Sequence, residues 1–186
     1  MSNFKKYLTI ALISVFSVFF IIMYYLYDAG VFDKMQLQKE KVSSFYIIYE
    51  NYEGDSKGIG ILMTNIENYL SSQKKFYPEK GFIQYEKLIE NSQSKYMKAK
   101  VGCIVEEKMF NNIDTAKLLF KVSKIVINEA VTGYLEYKNN MSVVLGISKF
   151  YPELDDFTTK NRIKKSDVFE VFDKRRKKIE FLMPIE

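Results

Sequence analysis

The longest apolar run in the chain extends from Tyr7 to Tyr27 and contains no charged residue. An α-helix rises about 1.5 Å per residue, so about 20 apolar residues cross the hydrocarbon core of a bilayer. A cut after Ala29 is a poor site for signal peptidase, because the bulky Tyr27 lies where a small residue is needed. The pattern favours an uncleaved transmembrane helix over residues 7–27, rather than a signal peptide or a buried core helix.

The charges flanking this run bear on its orientation. Lys5 and Lys6 precede it and favour a cytoplasmic amino terminus, but three lysines follow it closely, at positions 34, 39 and 41. The balance weakly places the soluble part on the non-cytoplasmic side of the membrane. We therefore expect a short flank over residues 1–6, a single-pass anchor, and a polar tether over residues 28–41.

Beyond the tether, the pattern predicts strand, helix, strand and strand. Apolar positions at spacings of three and four from Ile59 to Leu70 are typical of a helix with one buried face. Runs rich in β-branched and aromatic residues predict strands on both sides of this helix. These strands are Val42–Glu50, Gly81–Ile89 and Lys98–Glu107.

The second half repeats this order at an offset of roughly 80 residues. A second helical stripe runs from Val143 to Phe157, and Pro152 is expected to kink or split it. The predicted strands are Lys121–Tyr137, with a bend near Glu129, then Val168–Asp173 and Ile179–Ile185, joined by a hairpin turn over residues 174–178.

This repetition predicts an α+β fold of two βαββ halves over residues 42–186. One helix for three strands covers only one face of a sheet. In the strand VFEVFD, Glu170 and Phe172 point to one face, and Phe169 and Val171 point to the other. We expect the face that carries Glu170 to be the one without helices, and to line a cleft between the halves.

Composition excludes several kinds of chemistry. The chain has no histidine and one cysteine, Cys103, which rules out His-based catalytic triads, His-ligated metals and thiolate zinc sites. No cofactor is predicted. The part beyond residue 27 has 26 basic and 23 acidic residues, and this net charge of +3 is too small to indicate nucleic-acid binding.

Several motifs resemble the GyrI-like effector-binding family, also called the bacterial transcription activator effector-binding domain. They are YENYEG (Tyr49–Gly54), FIQYE (Phe82–Glu86), VGCIV (Val101–Val105), KFYPELDDF (Lys149–Phe157), VFEVFD (Val168–Asp173) and EFLMPI (Glu180–Ile185). The resemblance implies a pseudo-twofold, SOUL-like domain that binds small lipophilic or cationic molecules in a central cleft. Many relatives carry a helix-turn-helix domain at the amino terminus, where this chain has its apolar run, so direct regulation of transcription is not expected.

The resemblance also implies a ligand site. Glu170 occupies the position of the family's cleft glutamate, with Phe172 on the same face. Leu182 stands where relatives often have an aromatic residue. Alternation and strand position add four further candidates to the lining: Tyr46, Tyr85, Tyr137 and Glu180.

We expect a membrane-anchored, non-catalytic domain that binds a lipophilic ligand. If the ligand is cationic, Glu170 would supply the opposite charge. Two other hypotheses remain open. One is a tethered adaptor whose cleft or basic turn contacts a protein partner. The other is a hydrolase that uses Glu170 as a base, since some relatives have that activity.

Overall fold

A computed structural model describes residues 3–28, 30–74, 76–85, 97–111, 113 and 118–185. The first helix, α1, covers Asn3–Asp28, and its part from Lys5 to Asp28 is long and apolar enough to cross a membrane. None of the apolar stretch is buried against the rest of the chain. After α1, Gly30 adopts φ 80°, and its N–H donates to the carbonyl of Tyr27 at 2.9 Å. This backbone turn is typical of a helix end.

Part of the predicted tether over residues 28–41 packs on the domain. We call residues 30–37 the connecting segment. Within it, Met35 is buried and packs with Leu37 against the core. The ammonium group of Lys149 donates hydrogen bonds to the carbonyl oxygens of Gly30 and Asp33. The reason is the apolar character of Met35 and Leu37, which find an apolar surface close to the end of α1.

The connecting segment leads into a sheet of eight antiparallel strands. They are β1 (Gln38–Lys41), β2 (Phe45–Gly54), β3 (Lys80–Tyr85), β4 (Met97–Val105), β5 (Lys121–Ile125), β6 (Glu129–Glu136), β7 (Phe169–Asp173) and β8 (Lys178–Ile185). Their order in the sheet is β1-β6-β8-β7-β3-β4-β2-β5. The described part of the predicted strand over Gly81–Ile89 ends at Tyr85; residues 86–89 lie outside the described residues. The predicted bend near Glu129 separates β5 from β6.

Three further helices follow α1: α2 (Ser56–Lys74), the one-turn α3 (Glu107–Phe110) and α4 (Asn140–Asn161). The chain therefore runs β2-α2-β3-β4 and then β6-α4-β7-β8. The strands of the two runs occupy opposite halves of the sheet, which meet where β3 pairs with β7. This connectivity matches the predicted order of elements; duplication of the halves stays a prediction.

Helix α4 is continuous through Pro152, so the expected split of this helix is wrong. Proline removes one backbone donor, which leaves the carbonyl four residues earlier without its helical partner. That residue is Ser148, which is exposed, so water can satisfy its carbonyl. At its start, α4 is capped by Asn139, whose side chain accepts a hydrogen bond from the N–H of Met141.

Helices α2 and α4 pack on one face of the sheet. Phe150 of α4 stacks on Phe181 of β8, with ring centroids 4.6 Å apart. Ile59 of α2 packs in a cluster that includes Ile83 of β3. Glu170 lies directly across from both Ile83 and Phe181, so it faces the helices. The expectation that Glu170 faces away from the helices is therefore wrong.

The other face is also closed to solvent. Ile47 of β2, Ala130 of β6 and Val171 of β7 belong to one buried cluster, although β2 and β6 lie near opposite edges of the sheet. The sheet therefore curls so that its helix-free face forms a second core. The space left for a ligand lies on the helical face.

Candidate functional site

A cavity of about 1060 Å³ lies between the first turns of α2 and α4. We call it the interhelix cavity. This volume is slightly above the range of about 300–1,000 Å³ that is usual for small-molecule sites. Its apolar lining comes from both helices and from the sheet beneath them: Ile59, Met63, Ile83, Val143, Val144 and Phe172.

The elements that border the cavity have clear local causes. Helix α2 begins where the carboxylate of Asp55 accepts a hydrogen bond from the N–H of Gly58 at 3.0 Å. Gly60, one turn into α2, lines the cavity, and a Cβ atom there would meet no atom within 4 Å. Further along α4, Gly146 lies against the ring of Phe181, where a Cβ would come within 2.8 Å of that ring. Helix α4 thus packs closely on the sheet beyond the cavity.

Charged residues surround the mouth of the cavity. Five lysines contribute to the lining, and two carboxylates, Glu136 and Asp173, lie among them. Asp173 is within 4.0 Å of Lys80 and 3.9 Å of Arg176, which partly neutralise it. The mouth is therefore electropositive. The lysines are Lys57, Lys138, Lys174, Lys177 and Lys178.

Glu170 is the most unusual polar residue on the helical face, because its side chain is 0% exposed. The hydroxyl of Tyr151 donates a long hydrogen bond to Oε1 at 3.4 Å, and within the described part of the chain Oε2 has no hydrogen-bond partner. Burial raises the pKa of Glu170 to about 8, and the Tyr151 bond offsets this only in part. At neutral pH the side chain is mainly a neutral carboxylic acid.

Two tyrosines complete this buried group. Burial raises the pKa of Tyr85 and of Tyr151, and negative charge on Glu170 raises both further. Both phenols therefore stay protonated over the physiological pH range. They can donate hydrogen bonds to Glu170 or to a ligand, but they are poor nucleophiles and poor bases.

Glu170 is adjacent to the interhelix cavity without lining it. Phe172 lies two residues along β7 on the same face, a distance of about 7 Å along a strand, and it lines the cavity. Ile83, directly across the sheet from Glu170, also lines it. A ligand in the cavity is thus one side chain away from the buried carboxyl group.

The structure brings together four of the seven predicted site residues. Phe172 and Tyr137 line the cavity, and Glu170 and Tyr85 lie buried next to it. Leu182 and Glu180 lie on the opposite face of the sheet, because Leu182 pairs with Phe169 and packs in the helix-free core. Tyr46 stacks on Phe110, with ring centroids 3.9 Å apart, in a separate cluster. The structure does not place these three residues at the cavity.

Sequence reasoning missed Tyr151 and the lysines of the cavity mouth. Tyr151 falls one helical turn after Ile147, within the apolar stripe of α4, and that spacing was the available signal. The lysines lie on four different elements and loops, so only the fold brings them together. In the basic turn, Lys174 pairs with Glu67, and Arg175 lies 3.7 Å from Glu79, which fixes these charges within the domain.

Comparisons with known proteins show the fold. No family model matches the sequence, and no curated protein matches it. The crystal structure of the EcmrR C-terminal domain is similar, with 14% identity and a TM-score of 0.61, over 82% of this chain and 98% of that domain. EcmrR in its complex with DNA matches with 12% identity and a TM-score of 0.60, over 98% of this chain and 69% of that one. A hydrolase from Listeria innocua matches with 9% identity and a TM-score of 0.49, over 87% of this chain and 98% of that one. The chain therefore resembles GyrI-like folds.

Proposed function

We propose that this protein is a membrane-anchored, non-catalytic domain that binds a small lipophilic molecule in the interhelix cavity. The observation that carries this proposal is the cavity itself, a space of about 1060 Å³ with an apolar floor between two helices. Apolar surface removed from water contributes about 25 cal/mol per Å², so a cavity with an apolar floor favours an apolar occupant. In this proposal α1 is the anchor and the domain lies on the non-cytoplasmic side.

The proposal leaves catalysis out for a chemical reason. The two phenols next to Glu170 have raised pKa values and are held in their protonated form. Glu170 is buried beside the cavity and mainly protonated at neutral pH, so it is poorly suited to activate a water molecule as a base. Binding requires none of these groups to ionise.

The test uses the full chain in nanodiscs of phosphatidylcholine, with equilibrium dialysis of radiolabelled decyl glucoside, a neutral lipophile. We expect saturable binding above that of empty nanodiscs. Phe172→Ala removes part of the apolar floor and should weaken binding about tenfold, since a buried Phe side chain contributes about 1.5–3 kcal/mol. Tyr77→Ala, an exposed aromatic outside the cavity lining, is the matched control.

Binding that does not saturate, or that Phe172→Ala and Tyr77→Ala change equally, would contradict the proposal. The tethered protein adaptor would then be the remaining hypothesis. Its partner would be sought by crosslinking in membranes.

Glu170 gives the proposed site a way to recognise positive charge. A cation that displaced Tyr151 from the carboxyl group would favour the ionised form, whereas the free chain holds the neutral form below about pH 8. Affinity for decyltrimethylammonium should therefore rise with pH and level off above about pH 8. In Glu170→Gln this rise should be absent, and an equal rise in both proteins would remove the role of Glu170.

A further inference from the structure

The mouth of the interhelix cavity carries more positive than negative side chains, whereas its floor is apolar. Three of its lysines, Lys57, Lys138 and Lys177, are exposed and have no ion-pair partner among the described residues. The carboxylates in the lining are Glu136 and Asp173, and the lysines there outnumber them. Asp173 also lies near Lys80 and Arg176, which offset its charge. Negative charge at the mouth would be attracted, and positive charge would be repelled.

The three lysines line the same cavity, and the backbone brings two of them onto neighbouring segments. The N–H of Tyr137 donates to the carbonyl oxygen of Lys177 at 2.8 Å, so Lys138 and Lys177 lie on adjacent chain segments. Lys57 lies in the first turn of α2, which borders the same cavity. All three lysines therefore belong to the lining of one cavity, and their ammonium groups are available to an acidic group at its mouth.

The apolar surface continues outward to this basic mouth. Val144 and Tyr137 line the cavity and yet are 58% and 38% exposed. Met141, in the first turn of α4, is also exposed. Apolar floor, exposed apolar edge and basic mouth follow one another, which is the arrangement that suits a molecule with an apolar chain and a negatively charged end.

The floor offers no competing charge to such a molecule. Glu170 beneath it is buried and mainly neutral at neutral pH, so it does not repel an acidic ligand. The amino terminus of α4 adds a partial positive charge at the mouth, since its cap Asn139 is uncharged. At α2 the carboxylate of Asp55 offsets the equivalent effect.

We propose that the interhelix cavity binds a single-chain anionic amphiphile, such as a long-chain carboxylate, with its chain over the apolar floor and its acidic group among Lys57, Lys138 and Lys177. This rests on the proposed function and names the class of ligand. In this proposal the ligand carries a negative charge that lies at the cavity mouth. In recognition by Glu170, the ligand would carry a positive charge that lies at the buried carboxyl group.

The test compares three probes with the same ten-carbon chain at pH 7, where Glu170 is mainly neutral, and uses the full chain in phosphatidylcholine nanodiscs. The probes are decanoate, decyl glucoside and decyltrimethylammonium, with empty nanodiscs subtracted. We expect decanoate to bind about tenfold more tightly than decyl glucoside, from exposed charge pairs of at most about 1 kcal/mol each. The preference should fall at high salt, because the charges are exposed.

The triple variant Lys57→Gln, Lys138→Gln, Lys177→Asn should lose this preference and keep binding of decyl glucoside. Asparagine is chosen at 177 because that residue has φ 49°, a conformation that asparagine tolerates. The control variant Lys39→Gln, Lys41→Gln, Lys164→Gln removes three exposed lysines outside the cavity and should bind all probes as the natural chain does.

The outcomes separate the two proposals. Equal binding of decanoate and decyl glucoside, or tightest binding of decyltrimethylammonium, would overturn the anionic ligand and leave the lipophilic site standing. Failure of all three probes to saturate would overturn the proposed function itself. Exchanging part of the phosphatidylcholine for phosphatidylglycerol distinguishes the source of the ligand. If phosphatidylglycerol competes with decanoate in the natural chain but not in the triple variant, the ligand is a membrane lipid. If it does not compete, the ligand is a free amphiphile.

Discussion

Glu170 is a buried carboxyl group that has no charged partner among the described residues and accepts a hydrogen bond from the hydroxyl of Tyr151. Burying an ionised carboxylate without a partner costs several kcal/mol, and the usual escape is protonation. The raised pKa of about 8 is the expression of that cost. A glutamine of the same shape would avoid this cost.

The pH dependence of stability tests whether Glu170 is buried as the structure has it. The pKa of Glu170 is about 8 in the folded chain, against an ordinary value of 4.5 in the unfolded chain. As pH rises, the unfolded chain therefore releases this proton before the folded chain does. The free energy of unfolding should therefore fall between about pH 4.5 and about pH 8, by at most about 1.4 kcal/mol per pH unit, and change no further above that from this group.

Chemical denaturation at several pH values measures this slope. Glu170→Gln should remove it and should be more stable than the natural chain at about pH 8. Glu153→Gln, which changes an exposed carboxylate on α4, should leave the slope in place. The same slope in Glu170→Gln and in the natural chain would show that the carboxyl group is hydrated.

At the scale of elements, α4 connects the site to the rest of the chain. Its first turn borders the cavity, its middle supplies Tyr151 to Glu170, and Lys149 holds the connecting segment. The helix carries Pro152 in its interior without ending there. Since proline costs about 3 kcal/mol relative to alanine inside a helix, this position is a place where stability has been lost.

Pro152→Ala should restore the missing backbone donor and raise the free energy of unfolding by about 1–3 kcal/mol. The new N–H would donate to the carbonyl of Ser148, which is exposed. Urea denaturation measures the effect. A fall in stability would mean that proline sets a bend on which the packing of α4 depends.

The connecting segment is predicted to depend on Lys149. Hydrogen bonds from a charged donor contribute about 1.5–3 kcal/mol, and Lys149 makes two, to Gly30 and to Asp33. In Lys149→Met the segment should open more often, and trypsin should cut after the exposed Lys34 about tenfold faster. Lys160→Met, an exposed change near the end of α4, is the control, and equal cleavage rates in all three proteins would mean that the segment is held by Met35 and Leu37 alone.

Elements with long periodic patterns were predictable from the sequence. The helical stripes gave α2 and α4, and alternation in VFEVFD gave β7. Strand β1 was not predictable, because QKEK has no apolar alternation and forms a strand only where the edge of β6 offers backbone partners. Which face of the sheet the helices cover was also beyond the pattern, since both faces of β7 are apolar enough to be buried.

The prediction that Leu182 lines the site rests on the family resemblance, and the observed strand register does not support it. A turn over residues 174–178 would set Glu170 across from Leu182, whereas the observed turn is one residue shorter and sets Glu170 across from Phe181. A slip of one residue moves every side chain to the other face of the sheet. Leu182 and Glu180 thus fall on the helix-free face, and the cavity takes its lining from Phe172 and Ile83.

At the scale of the whole molecule, the described residues form a long apolar helix, a connecting segment packed on the domain, and a curled sheet with a cavity under two helices. The connecting segment leaves little free chain between α1 and the domain. If α1 lies in a bilayer, as we propose, the domain is held near the membrane surface, where lipophilic molecules are concentrated.

The most direct measurement fills the interhelix cavity from Gly60. A Cβ at this position meets no atom within 4 Å, so Gly60→Trp should occupy the cavity without disturbing the backbone, and Gly60→Ala is the matched control that keeps the space open. By equilibrium dialysis of decyl glucoside on the full chain in nanodiscs, Gly60→Ala should bind as the natural chain does and Gly60→Trp should bind at least about tenfold more weakly. Both variants should unfold at the same or higher denaturant concentration, because each replaces a glycine inside a helix. Undiminished binding by a folded Gly60→Trp would show that the ligand site is not the interhelix cavity.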